Sequence, residues 1–257
     1  MTDRPTVLVT GANSGIGKEI ASRLARAGYD VAINYKVDAP GAEALALELR
    51  AFGGRPIAVH ADISVTSEVD EMFHTVLTKF GKLDALVNNA AVQVWKPLLE
   101  ASDADWDRVL ATNLRGCFLC TQRAARHMKD RLIGAIVNIG SGSNKLPFPN
   151  LCSYAASKGA IEMFTKSSAL ELGQFGIRVN CVAPGAIDTE RTKAELPDFA
   201  GTWAHLTPLR RIGTPADVAA AVEFLLSANA SFISGQTLGV DGGLFVQPRW
   251  PESDYNS

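Results

Sequence analysis

Thr6-Val7-Leu8-Val9-Thr10-Gly11-Ala12-Asn13-Ser14-Gly15-Ile16-Gly17 reads as a short apolar strand running into a glycine-rich turn. The helical pattern Lys18–Ala27 follows directly. Glycines in such a turn let the backbone come close to a ligand. The free N–H groups at the start of the helix make an anion site there. Strand, glycine turn and helix in this order suit the pyrophosphate of a dinucleotide, although the spacing G-x-x-x-G-x-G differs from the commoner G-x-G-x-x-G. Gly11, Asn13, Ser14, Gly15, Ile16 and Gly17 are therefore the first candidate cofactor contacts.

The same alternation continues downstream. A second strand, Asp30–Asn34, ends in Asn34-Tyr35-Lys36. Dinucleotide folds that grip an unmodified ribose place a carboxylate near that point. Here Tyr35 and Lys36 stand there, and a lysine can meet a 2′-phosphate. NADP(H) is thus favoured and NAD(H) tolerated, with Asp38 offering a competing carboxylate two residues on. Helices are expected near Ala42–Phe52, Ser67–Phe80, Ala104–Lys129, Tyr154–Leu172 and Pro215–Ser227. Strands are expected at Pro56–His60, Leu83–Val87, Ala135–Ile139, Arg178–Val182 and Thr237–Val240. Such βα alternation means an α/β fold, a doubly wound Rossmann arrangement of about seven parallel strands with helices on both faces. No linker, repeat or low-complexity tract interrupts it, so residues 1–257 are expected to form a single domain.

Ser141-Gly142-Ser143-Asn144-Lys145-Leu146-Pro147-Phe148-Pro149-Asn150-Leu151-Cys152-Ser153-Tyr154-Ala155-Ala156-Ser157-Lys158 carries the proton chemistry. On a helix Tyr154 and Lys158 share one face, four residues apart. A cation beside a phenol favours its anion, so such a tyrosine can pass a proton to or from a substrate oxygen. Ser141 follows an apolar strand, which puts it at the carboxyl end where open α/β sheets place ligands. Taken alone, Y-x-x-x-K equally describes two solvated helix residues.

Composition narrows the field further. The chain has 257 residues, 47% of them apolar and 20% charged, with a formal net charge of −2. This is an ordinary globular balance without the basic field that nucleic acid or an anionic membrane would need. No run approaches a membrane span and no signal-like segment leads the chain, so a cytoplasmic protein is expected. Four cysteines include a lone Cys117-x-x-Cys120 pair, read as buried thiols. His60, His74, His127 and His205 are scattered without ligand spacing, and no metal is assigned.

Together these residues resemble the classical short-chain dehydrogenases/reductases over nearly the whole chain, from Thr10 to Gly243. The resemblance implies that Asp62-Ile63 contacts the adenine, that Asn89-Ala90 lies beside the cofactor, and that Pro184-Gly185-x-Ile187-x-Thr189 positions the nicotinamide. It makes Asn113, Ser141, Tyr154 and Lys158 the catalytic set, with Asn113 holding a water that links Lys158 to solvent. Ser141 and Tyr154 would hold the substrate oxygen, and Ser143 offers a second hydroxyl. Ala91 replaces the glycine usual after Asn-Asn-Ala. Residues 190–212 look like the family's lid, and the two long helices imply a homotetramer. The segment around Lys145–Asn150 is most similar to glucose 1-dehydrogenases, so an NAD(P)-dependent sugar dehydrogenase is expected; reduction of small ketones or 3-oxoacyl thioesters is the alternative, and a non-catalytic cofactor sensor a third. Trp95, Leu146, Phe148, Trp203 and Cys152 are the candidates for shaping the small-molecule pocket.

Overall fold

Strand β1, Thr6–Val9, is buried along its whole length. A parallel strand covered on both faces needs apolar residues at every position rather than at alternate ones. Its side chains nonetheless divide by the two-residue period of a strand: Val7 and Val9 enter one core cluster, Leu8 the other. The computed structural model describes residues 4–195 and 198–246, with the side chain of Glu195 left aside. Pro197, assigned from the sequence to the lid, lies outside the described residues.

β1 is joined by β2 (Asp30–Tyr35), β3 (Ile57–His60), β4 (Ala85–Asn88), β5 (Gly134–Ile139), β6 (Ile177–Pro184) and β7 (Thr237–Val240). All pair in parallel, in the order β3-β2-β1-β4-β5-β6-β7. Chain order therefore reverses at β1, which has β2 on one side and β4 on the other. That reversal opens a crevice at the carboxyl ends of the strands, the place where such sheets bind ligands.

One face of the sheet is covered by α1 (Gly15–Arg26), α2 (Ala39–Leu49) and α9 (Pro215–Leu226), through Ile20, Leu24, Leu45, Leu49, Val218 and Val222. The other is covered by α3 (Thr66–Phe80) and α5 (Gly116–Met128), through Val69, Met72, Phe73, Val76, Leu119 and Met128. The spacing of Val69, Met72, Phe73 and Val76 is the i, i+3, i+4, i+7 stripe of an amphipathic helix. Met72 is fully buried. Cutting it back to alanine costs about 2–5 kcal/mol, comparable to much of a domain's net stability.

Several expected boundaries move, each for a local reason. α1 begins at Gly15 rather than Lys18, because the glycine turn itself forms the first helical turn. α2 begins at Ala39 because Asp38 caps it, accepting a hydrogen bond from Gly41 N at 3.1 Å, with a proline in the first turn. The single helix expected over Ala104–Lys129 is two, α4 (Asp103–Leu110) and α5, joined by a π-helical turn over Ala111–Arg115. Such turns are rare and gather at functional sites; this one carries Asn113. The long helix α6 (Cys152–Leu172) starts two residues before Tyr154.

Candidate active site

The carboxyl ends of the strands open into one cavity of about 1040 Å³. The glycine turn lines it through Gly11, Asn13, Ser14, Gly15, Ile16 and Gly17. Gly11 has φ of 58°, and a methyl there would lie 2.9 Å from Ala90 Cα. At Gly17 a methyl would lie 2.3 Å from Gly11 O and 2.5 Å from Asn89 Nδ2, so the turn must stay bare to fold this tightly. Asn89 fastens it by donating from Nδ2 to Thr10 O and Gly11 O, both at 2.9 Å. Thr10 Oγ1 accepts from the N–H groups of Asn89 and Ala90. The first turn of α1 has no acidic residue, and Ser14 makes no side-chain cap. Its amides are thus left for an anion, and the cradle fits a dinucleotide pyrophosphate.

At the far end of the cavity lie Lys36, Asp62 and Ile63. Lys36 Nζ is 2.6 Å from Asp62 Oδ2. Asp62 Oδ1 accepts from Ser64 N at 2.9 Å and Ser64 Oγ at 2.7 Å. Burial pushes this carboxyl up, but the Lys36 ammonium and the Ser64 hydrogen bonds outweigh it and hold it below the usual carboxylate range. Asp38 is engaged in capping α2 and does not line the cavity. Tyr35 is a correction: its ring packs edge-on against His60, centroids 5.5 Å apart, and Asn34 lines the cavity instead. Alternation along β2 explains the exchange, since neighbouring residues point to opposite faces. Asn34 Oδ1 also accepts from Gly11 N at 3.1 Å, which ties β2 to the turn.

Ser141, Ser143, Tyr154 and Lys158 meet in the middle of the cavity. Lys158 is 3% exposed and donates from Nζ to Ile139 O at 2.7 Å. The same ammonium lies 5.5 Å from the centre of the Tyr154 ring. Ser141 Oγ accepts from Ser143 N at 3.2 Å, which fixes the serine turn at the end of β5. The Ser143 hydroxyl is buried without a hydrogen-bond partner. Asn113 is buried. Its amide donates to Val92 O at 2.9 Å and Ser157 Oγ at 3.0 Å, while its oxygen accepts from Val92 N at 2.8 Å. Ser157 in turn donates to Tyr154 O at 2.7 Å. The side chain thus has protein partners on both its oxygen and its nitrogen, and the neighbouring Thr112 lines the cavity. It ties the strand-β4 loop to the turn that presents Tyr154.

Pro184, Gly185, Ile187 and Thr189 line the cavity beyond β6. They lead into α7 (Glu190–Glu195) and α8 (Phe199–Leu206), which cover its mouth through Glu190, Arg191, Thr192, Phe199 and Trp203. The two ends of this covering segment are fastened where Asp188 N donates to Gly213 O and Gly213 N donates to Ala186 O, both at 2.8 Å. Trp95 and Phe148 join the lining, as does Ala91; Leu146 and Cys152 do not. Cys152 is exposed on the first turn of α6, which turns it away from the pocket. Cys117 and Cys120 are buried thiols, and burial pushes Cys117 up to about 12. Among the described residues no group of three or more His, Cys, Asp or Glu is placed to hold a metal ion.

Sequence reading missed Phe199, Leu244 and Phe245, which also line the cavity. Phe245 follows the Asp241-Gly242-Gly243 turn, and that turn was the available signal. Phe148 meets Trp203 edge-on at 5.5 Å and Phe245 at 6.2 Å.

A glycine cradle joined in one cavity to a buried lysine, a tyrosine and a serine defines a dinucleotide-dependent oxidoreductase. Residues 11–245 match the family model described as enoyl-(acyl carrier protein) reductase. The chain belongs to the classical short-chain dehydrogenase/reductase family. It is 39% identical over 241 residues to the 3-oxoacyl-(acyl-carrier-protein) reductase FabG of Staphylococcus epidermidis, covering 94% of this chain and 99% of that protein. It is 40% identical over 246 residues to 3beta-hydroxysteroid dehydrogenase 1 of Eggerthella lenta, 95% of this chain and 94% of that protein. Among solved structures, an acetoin dehydrogenase from Enterobacter cloacae superposes with a TM-score of 0.89 at 37% identity, covering 98% of this chain and 100% of that one.

Proposed function

We propose that the protein interconverts a carbonyl compound with an apolar body and its secondary alcohol, using NADP(H) in preference to NAD(H). The observation that carries this reading is the apolar share of the lining in the cavity that also holds the serine and tyrosine. Phe148, Leu151, Phe199, Trp203, Leu244 and Phe245 offer a single side-chain N–H among them, that of Trp203. A sugar presents a hydroxyl on nearly every carbon, and those turned to these side chains would lose their water without a replacement. The sugar expectation is therefore set below the alternative of ketone or 3-oxoacyl reduction.

A bound nicotinamide would supply or take up the hydride. Tyr154 gives its phenolic proton to the oxygen of a carbonyl being reduced, and takes one from an alcohol being oxidised. Ser141 donates a hydrogen bond to the same oxygen and steadies the charge growing on it. Lys158 Nζ, clamped by Ile139 O, stands 5.5 Å from the centre of the ring. Asn113 and Ser157 hold the turn on which Tyr154 rides. Lys36 would meet a 2′-phosphate at the far end.

We also propose a homotetramer built through α4 to α6 and the β7 edge. Phe118, Met163 and Leu170 are exposed on those helices, and Phe224, Phe232 and Leu238 near the edge. A shallow apolar hollow bounded by Leu110, Leu114 and Phe118 adds to the first face.

The test is a panel of small ketones, a 3-oxoacyl thioester and glucose, assayed with each cofactor in both directions. Turnover of ketones above glucose is expected; a sugar preference would overturn the reading.

A further inference from the structure

The turn that follows Ser141 is shaped around a ring from the far end of the chain. A methyl on Gly142 would sit 1.8 Å from Phe245 Cε2 and 2.1 Å from Phe245 Cδ2. The ring therefore occupies the space that any side chain at 142 would need. Its backbone is pinned, since Phe245 N donates to Asp241 Oδ2 at 3.2 Å and Gly243 N donates to Asp241 Oδ1 at 2.9 Å. The neighbouring Leu244 is buried. On its other side the ring meets Phe148 edge-on, with an interplanar angle of 79°, an arrangement that holds aromatic pairs in place.

We propose that Phe245 is a specificity-determining residue that sets the size of the substrate. Its ring closes the compartment beside Gly142 and Ser143, next to the reacting oxygen held by Ser141 and Tyr154. A carbonyl compound with two short arms fits in front of it. One with a flat, bulky arm on that side collides with a ring that Phe148 and the Asp241 turn keep from retreating. Because Gly142 has no side chain, it is the partner that admits the ring, and the two positions form one complementary pair. This rests on the carbonyl-reductase reading above and adds to it the class of substrate, small apolar ketones.

The experiment compares the parent with Phe245→Ala on 2-butanone, acetophenone and 2-acetylnaphthalene, at saturating NADPH. Hydrophobic pockets separate substrates differing by one methylene by roughly 10–200-fold. The ratio of kcat/KM for 2-acetylnaphthalene over 2-butanone is therefore expected to rise at least about tenfold in the variant, with KM for NADPH unchanged. A ratio that moves less than twofold would overturn the proposal. General loosening of the C-terminal turn would lower all three substrates together and leave the ratio in place, which also counts against it. Binding of 2-acetylnaphthalene, followed by quenching of tryptophan fluorescence, tests the same point without turnover. Failure of every ketone to react would sink the functional reading, while the binding ratio would still decide the role of Phe245. Gly142→Ala closes the argument. Alone it should lower Tm and activity; in the Phe245→Ala background the methyl has room, and the loss in Tm should be at least halved. Equal losses in the two backgrounds would show that the ring and the turn are not a pair.

Discussion

Lys36 and Asp62 are joined by an ion pair of 2.6 Å at the end of the cofactor cavity. The lysine side chain is 63% exposed, while Asp62 is held by Ser64. A 2′-phosphate must therefore draw Lys36 away from a carboxylate already holding it. Lys36→Ala is expected to weaken NADPH much more than NADH. Asp62→Asn removes the rival charge, so the NADPH-to-NADH affinity ratio should rise. An exposed pair is worth up to about 1 kcal/mol, which sets the gain at roughly fivefold. Dissociation constants for both cofactors in the three proteins check this, and equal losses for the two cofactors in Lys36→Ala would refute it.

Tyr154→Phe keeps the ring above Lys158 and removes the transferable proton. Turnover should fall by several orders of magnitude with cofactor affinity nearly unchanged, as measured by kcat and by cofactor titration. Residual activity within tenfold of the parent, a barrier change of only about 1.4 kcal/mol, would take the proton transfer away from Tyr154.

Asp84 is expected to contribute stability that is lost in acid. It accepts from Thr6 N at 2.8 Å and from Arg131 Nη2 at 2.5 Å, joining the starts of β1 and β4 to the end of α5. Burial raises this carboxyl, yet Arg131, Thr6 and Lys82 together hold it below the usual range. A folded-state pKa below the unfolded one adds stability at neutral pH, which is lost as pH falls through the folded value. Asp84→Asn should therefore lower Tm at neutral pH, and the gap should begin to close below about pH 4 and vanish only in stronger acid. A gap that persists into acid would show that the charge is not the cause.

Sedimentation at micromolar concentration should give a single tetrameric species. Met163→Glu puts a charge on the exposed face of α6, where 61% of the residue is accessible in the single chain, and should shift the distribution to smaller species. A monomeric parent would refute the assembly.

Strands inside the sheet were legible because burial on both faces forces unbroken apolar runs, as in Thr6–Val9; the partly exposed edge strand Thr237–Val240 also stands where the sequence puts it. Helix starts were less so, because caps such as Asp38 act through one side chain. The π turn at Asn113 was invisible, since it inserts a residue without changing the apolar pattern around it. Most expected cavity residues are local to one strand end, and their motifs announce them. Tyr35 failed by one position in a two-residue period. For Phe245 the Asp241-Gly242-Gly243 turn signals a bend, but the partner it brings the ring to, Gly142, is a contact across the fold that the turn does not name.

The paired hydrogen bonds between Ala186, Asp188 and Gly213 make the covering segment a closed cassette. Its two ends leave the scaffold at one point, and between them Leu209 N donates to Gly242 O at 3.3 Å, so the segment also rests on the C-terminal turn. A graft of the whole segment from a relative, cut between 188 and 212, would then transplant the choice of substrate while leaving the proton chemistry where it stands.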